Sequence, residues 1–252
     1  MSSDLDREAA RVRAAYERRA RLGLDARYEY WRPANLFIYQ SRDRALARLL
    51  DDAGLLPLEG RRLLDVGCGD GGVLRDLVRL GAAPSCMTGV DLLPERIARA
   101  RDLTPGARFE VADAQALPFP DQEFGLVLGF TLLSSVINAG ARARVASEMS
   151  RVCSREGAIV LYDFWVNPLN RDARPVSRRE VSRLFPGWRA TFRAVTLAPP
   201  LTRLLAPLPG GWLACTLLEV LPFLRTHYLA VLRPVLATEG SAGPDLGPTG
   251  PP

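Results

Sequence analysis

Apolar residues follow two alternating rhythms along the middle of this chain. Leu63-Leu64-Asp65-Val66, Met87-Thr88-Gly89-Val90-Asp91, Phe124 to Phe130 and Ala158 to Tyr162 are short runs rich in apolar residues, and Arg108 to Val111 is a further short run in which Phe109 and Val111 alternate with charged residues. Between them apolar residues recur every three or four positions. Val73 to Leu80 carries Leu74, Leu77 and Val78 on one face and stops at Gly81; Pro94 to Arg101 has proline in its first turn; Ala141 to Arg151 follows later. The short runs predict strands buried on both faces and the spaced runs predict helices. Their alternation predicts an α/β fold, with a mostly parallel sheet and helices on both faces.

The flanks read differently. The first two dozen residues, rich in Arg, Glu and Ala, predict a solvated helix. An aromatic stretch, Tyr28 to Asn35, contains Pro33 as a stop, and a second helix is expected from about Phe37 to Ala53, ended by Gly54. After Asp163 come an Arg-rich loop from Asn167 to Arg179, a short helix near Glu180 to Phe185, a strand at Ala190 to Leu197 and another at Tyr228 to Leu232. From Leu204 to Leu224 the only charge is Glu219, but Pro207, Pro209, Gly210, Gly211 and Pro222 interrupt the run. Such breaks argue against a membrane span. A buried or lid helix over an apolar pocket is expected instead, with contact to a membrane surface as the lesser alternative. The resulting organisation is a helical cap at 1–53 over the active site, a main domain at 54–236 with an apolar lid at about 198–224, and a disordered tail at 237–252.

Composition narrows the class. With 48% hydrophobic and 24% charged residues in 252, the chain has ample material for a core, which excludes a mostly disordered protein. The net charge of +5 comes from 33 basic residues that are all Arg. They are interspersed with acids, a pattern closer to codon bias than to a phosphate-binding face, so nucleic acid is not the expected partner. Cys68, Cys86, Cys153 and Cys215 form no C-x-x-C pair and His227 is the one histidine, so neither a zinc site nor a disulfide framework is expected. The charged start of the chain lacks the apolar core of a signal peptide, and the expected location is cytoplasmic.

Asp65-Val66-Gly67-Cys68-Gly69-Asp70-Gly71-Gly72 lies where a strand passes into a helix. Glycines there let a ligand approach the backbone and face the free N–H groups of a helix start. Gly67, Gly69 and Gly72 also satisfy G-x-G-x-x-G, the dinucleotide fingerprint, which on its own fits a simple tight turn as well. The acids around it separate the ligands. Asp65, two residues before the first glycine, would repel a pyrophosphate and suits a ligand bearing an ammonium or sulfonium charge. Asp91, about twenty residues beyond the loop, is placed to accept ribose hydroxyls in either kind of site. Asp113 follows the third strand, where a carboxylate would accept from an adenine amino group.

Leu64 to Gly71 resembles motif I of the class I S-adenosylmethionine (SAM)-dependent methyltransferases. Val111-Ala112-Asp113-Ala114-Gln115-Ala116-Leu117-Pro118-Phe119 is similar to the corresponding stretch of their quinone-methylase-like (type 11) branch. The resemblance covers about Leu46 to Asp163 and implies a Rossmann-like sheet of seven strands, the last antiparallel. It further implies that Asp65 and the amides of Gly67 and Gly69 hold the methionine end of SAM. Asp91 would take the ribose, Leu92 pack on the adenine, Asp113 and the Ala114 amide read its edge, and a carbonyl near Phe130 receive the ammonium. Gly125, Leu132-Leu133-Ser134-Ser135 and Ser154-Arg155-Glu156-Gly157 depart from the family pattern and remove its commonest histidine base.

Methyl transfer from a sulfonium needs alignment and exclusion of water, worth up to about 7–11 kcal/mol, and a base only for a protonated nucleophile. Asp163, just past the fifth strand, is the candidate base, with a turn-capping role as the alternative. Tyr39 and Tyr30 would reach over the cofactor from the cap, or simply pack. Arg171, with Arg174, Arg178 and Arg179, would clamp an anionic acceptor or form a solvated loop, and Trp212 would roof the acceptor pocket. His227 is read as a packing residue away from the cleft. The expected function is methylation of a small molecule, foremost at oxygen of a sugar or secondary-metabolite intermediate. C-methylation of a lipid-like or quinone substrate, NAD-dependent oxidoreduction and SAM binding without catalysis stand as alternatives.

Overall fold

In the computed structural model, which describes residues 2–23, 29–166 and 172–235, seven strands form one sheet in the order β3-β2-β1-β4-β5-β7-β6. The strands are β1 (Leu63–Val66), β2 (Met87–Asp91), β3 (Arg108–Val111), β4 (Phe124–Phe130), β5 (Cys153–Phe164), β6 (Trp188–Leu197) and β7 (Arg225–Pro234). All pairings are parallel except those of β7, which runs antiparallel to both β5 and β6. Consecutive strand residues face opposite sides. Leu63, Leu126, Leu128, Val160 and Leu229 therefore pack on one face, under α2 (Pro33–Asp52), α3 (Gly72–Val78) and α4 (Pro94–Leu103). Leu64, Val127, Ile159, Leu161 and Ala230 pack on the other, against α6 (Ala139–Val152) and α7 (Arg178–Leu184). Double-sided burial is why these runs lack polar alternation.

Because β5 and β6 are both antiparallel to β7, they run parallel to each other. The end of β6 and the start of β7 thus share an edge of the sheet with the carboxyl ends of β1, β2, β4 and β5. The link between β6 and β7 crosses that edge as α8 (Pro199–Leu205), α9 (Gly211–Glu219) and a 3₁₀ turn at Pro222–Leu224. It is fastened to α2 by a small core of Ala34, Phe37, Leu197, Ala206 and Cys215. Glu219 tightens the joint, accepting from the Ser41 hydroxyl (2.5 Å) and the Leu197 amide (3.3 Å).

Helix α1 (Ser2–Arg21) reaches over the same edge. The Arg96 guanidinium of α4 sits 4.2 Å over the Tyr16 ring. Glu8 accepts from the Ile137 amide (2.7 Å), Arg11 donates to the Ser135 carbonyl (2.5 Å), and Arg18 pairs with Asp172 (2.6 Å).

Three expectations need correction. Pro33 does not stop a helix but begins one: it is the first residue of α2, where its missing N–H costs nothing and its fixed φ suits the helix. Strand β7 starts at Arg225 and so carries His227 to the ligand edge of the sheet rather than away from it. The lid is not buried throughout, because Leu204, Leu208, Leu213 and Leu217 are 54–67% exposed. The tail from 237 lies outside the described residues.

Candidate active site

The turn after β1 is shaped by backbone alone. Gly67, Gly69 and Gly71 have φ of +75°, +56° and +78°, a region that side chains with a Cβ avoid. The amides of Gly67 and Cys68 donate to the Val90 carbonyl at 2.8 and 2.9 Å, tying the turn to β2. The Gly69 amide donates to Asp91 Oδ2 (2.9 Å), and the Leu93 amide to Asp91 Oδ1 (3.0 Å). One carboxylate thereby fixes both the glycine turn and the start of α4, and keeps lone pairs for a diol. Leu92 beside it is half-buried while Leu93 is buried, so Leu92 offers the flat apolar surface at this edge.

Asp65 is different in kind. It is 1% exposed at the end of β1, and neither carboxylate oxygen has a hydrogen-bond partner among the described residues. Burial, with the charge of Asp91 nearby, pushes its pKa up to about 8, and the Arg42 guanidinium only partly offsets this. A buried carboxylate without a donor costs several kcal/mol unless a cationic group meets it. An ammonium fits that requirement, whereas a pyrophosphate would worsen it.

Asp113 caps its own loop: Oδ1 accepts from the Gln115 amide (2.9 Å) and Oδ2 from the Gln115 side chain (3.2 Å), next to a half-buried Ala114. The Phe130 carbonyl accepts from the Thr131 hydroxyl (2.7 Å). Thr131 itself has φ +52°, a strained conformation for a β-branched residue.

Across the edge an aromatic floor leads away from Phe130. The Phe130 and Tyr162 rings lie 5.6 Å apart, Tyr162 stacks on His227 at 5.1 Å, and Phe164 meets His227 edge-on at 5.6 Å. The Tyr162 hydroxyl bonds Thr196 Oγ1 (2.9 Å), and Thr196 has φ +63° while fully buried. Thr131 and Thr196 thus both hold left-handed backbone at this edge, conformations that cost on the order of 1–3 kcal/mol each. Arg42 projects from α2 over this floor, 5.6 Å from the Phe130 ring and 5.2 Å from Tyr39, and is held by Asp43 (2.8 Å) and Asp76 (2.9 Å). Burial drives His227 down to about 4, so its imidazole is neutral at neutral pH; its Nδ1 lies 2.9 Å from the Thr226 hydroxyl.

Tyr30 stacks flat on Tyr39 at 5.6 Å, and Trp212 sits edge-on to Phe37 at 5.7 Å. The Asp163 carboxylate is 1% exposed and accepts from the Ser134 amide and the Phe164 amide, each at 3.0 Å. Its geometry is that of a group shaping the Thr131–Ser134 turn, and burial raises its pKa to about 6. Arg171 lies outside the described residues. An open depression of about 400 Å³ around Glu59, Arg61, Arg62 and Ser154 sits at the opposite, amino edge of β1.

Residues 63–157 match the family model described as a methyltransferase domain. By this match the stretch carries a methyltransferase domain, and the chain is similar to the class I methyltransferase family. Members of that family use SAM as methyl donor. The chain is 34% identical over 173 residues to 27-O-demethylrifamycin SV methyltransferase of Amycolatopsis mediterranei (strain S699), covering 64% of this chain and 60% of that one. It is 36% identical over 127 residues to phosphatidylethanolamine N-methyltransferase of Cereibacter sphaeroides, covering 48% and 57%. The chain thus spans less than two thirds of the length of these relatives. Among solved structures, the [4+2]-cyclase SpnF superposes with a TM-score of 0.56 at 22% identity, over 78% of this chain and 82% of that one, a likeness of fold.

Sequence reasoning missed the placement of Arg42, Thr131 and Thr196 at this edge; His227 packs against rings as expected, but at the ligand edge rather than away from it. Only His227, as the single histidine, gave a signal; the others are made significant by contacts distant in sequence.

Proposed function

We propose that this protein transfers a methyl group from SAM to a small-molecule acceptor, foremost to an oxygen of a secondary-metabolite or sugar intermediate. The observation that carries the reading is the unpartnered, buried carboxylate of Asp65 beneath the Gly67–Gly69 turn, which suits a cationic amino-acid end and opposes a dinucleotide phosphate. Asp65 would accept from the methionine ammonium, with Arg42 supplying the positive charge near its carboxylate. Asp91 would hold the ribose hydroxyls, Leu92 the adenine face, and Asp113 with the Ala114 amide its edge. SAM when bound supplies an activated methyl on sulfur. The chain's own task is then to align the acceptor and keep water out, effects worth up to about 7–11 kcal/mol.

On the acceptor side, the stacked Tyr162 and His227 with the tilted Phe130 ring, under α2, would meet an acceptor ring, with Tyr39 and Tyr30 near its rim. His227, which burial leaves a weak base, would hold an acceptor ring by stacking rather than take its proton. Asp163 would act by positioning the Thr131–Ser134 turn. Helix α1, lying from α4 to the segment before α6, would form the cap that closes the cleft.

A second reading, C-methylation of a lipid-like or quinone acceptor, is favoured by the exposed apolar surface of the lid. Transfer of labelled methyl from SAM to a panel of hydroxylated polyketides, sugars and prenylated quinols tests both. Labelled O-methyl products support the first reading and ring-methylated products the second. No transfer to any class despite tight SAM binding would favour a role without methyl transfer.

A further inference from the structure

We propose that the outward face of α8, α9 and the following 3₁₀ turn docks on the surface of an anionic lipid bilayer. Leu204, Leu208, Leu213, Leu217, Val220 and Phe223 are 54–77% exposed on these consecutive, mutually packed elements. Helix α9 inverts the usual pattern of a surface helix. Its buried residues are the small Gly211 and Cys215, while Trp212, Leu213, Leu217 and Val220 recur at helical spacing on the solvent side. Single exposed apolar residues are ordinary, but a continuous apolar face marks a contact surface. The Pro and Gly breaks keep α8 and α9 at seven and nine residues, and no described helix is long and apolar enough to cross a membrane. Such elements lie on a bilayer rather than through it.

Charge selects the occupant. Between residues 198 and 230 the charged side chains are Arg203, Glu219 and Arg225. Glu219 is turned inward to Ser41 and Leu197, so this face presents no acid of its own. The Arg225 guanidinium lies on the carbonyls of Glu219 (2.6 Å), Ala194 (3.1 Å) and Val220 (3.3 Å), which holds a positive charge at the rim of the patch. Trp31, 68% exposed, precedes the end of α2 that packs on this lid; Arg32 lies over its ring (5.3 Å) and is paired with Glu29 (3.5 Å), so the rim charge comes from Arg203 and Arg225. An apolar face with an indole and arginines at its rim complements an anionic bilayer interface. A second copy of the same face would bring arginines together. Docking here would place the ligand edge of the sheet against lipid and give an apolar acceptor a route in, which deepens the methyltransferase reading without requiring it.

The test is co-sedimentation of the full chain with vesicles of pure phosphatidylcholine and of phosphatidylcholine with about one third phosphatidylglycerol, at low and high salt. Binding to the anionic vesicles, weakened by salt and reduced about tenfold in both Leu213→Glu and Phe223→Glu, is expected. The two side chains are exposed, so unchanged thermal midpoints should accompany the loss. Absence of binding, equal binding to neutral vesicles, or undiminished binding by folded variants would overturn the proposal. So would a concentration-dependent dimer in sedimentation velocity that Leu213→Glu abolishes, which would assign the face to a second copy. Vesicle binding needs neither cofactor nor turnover, so its failure is separable from failure of the methyl-transfer reading.

Discussion

On the β3-β2-β1 side of the sheet a single added methyl group has nowhere to go, whereas on the β5-β7-β6 side the edge is held by large side chains resting on one another. A Cβ at Gly89 would lie 2.7 Å from the Phe109 ring and 2.8 Å from Cys68 Sγ; one at Gly67 would meet Leu132 at 3.0 Å in a left-handed conformation. The Phe130, Tyr162, His227 and Phe164 rings, by contrast, have centroids 5.1–5.6 Å apart, with left-handed backbone beside them at Thr131 and Thr196. The cofactor half is therefore specified largely by missing Cβ atoms and the acceptor half largely by packed rings, although Gly211 of α9, where a Cβ would strike the Leu205 carbonyl, carries the first demand into the lid. A site of the first kind tolerates little change. One of the second kind can be repacked for a new acceptor while the donor site stays intact.

The two halves should break in opposite ways. Removing bulk should hurt the acceptor side most: Phe37→Ala, which empties the core joining α2 to the lid, should cost about 3 kcal/mol in denaturant unfolding. Adding bulk should hurt the cofactor side: Gly89→Ala should cost about 2 kcal/mol, and a smaller loss would mean that Phe109 moves aside freely. Arg42→Met, at the seam between the halves, should weaken S-adenosylhomocysteine binding about tenfold through the lost charge, read by calorimetry. Smallest is Leu213→Ser on the outward face of α9, expected to change stability by less than about 0.5 kcal/mol.

The same contrast explains what could be read without a structure. The turn from Asp65 to Gly72 and the acids Asp91 and Asp113 are local signals, because strand, turn and helix follow one another and the backbone demands glycine. Arg42, Thr131 and Thr196 carry no such mark. Their roles arise where α2 crosses the sheet and where β6 and β7 turn back, through contacts between separate segments such as Arg42 with Phe130 and Tyr162 with Thr196. Pro33 was ambiguous for a physical reason, since proline both ends and begins helices. The lid was legible as broken and apolar, but its exposed side was not, because both faces of α9 are apolar and periodicity has no polar face to point outward.

Asp65 also predicts a pH dependence. Its folded pKa of about 8 lies above the ordinary value of 3.8, so the folded state without ligand holds a proton that the unfolded chain releases. That contribution is fully present below pH 4 and is lost as pH rises towards 8. Asp65→Asn should flatten this slope and raise the midpoint of the ligand-free protein at pH 8 by about 2–6 °C.

Isothermal titration with S-adenosylhomocysteine, in two buffers of different ionisation enthalpy at pH 7, tests the central claim most directly. A carboxylate that ionises to meet the ligand's ammonium predicts release of about one proton on binding to the native protein. In Asp65→Asn that release should vanish and affinity fall about 100-fold, although the variant is the more stable protein. Equal affinity and equal proton release in the two proteins would show that Asp65 does not receive the cofactor.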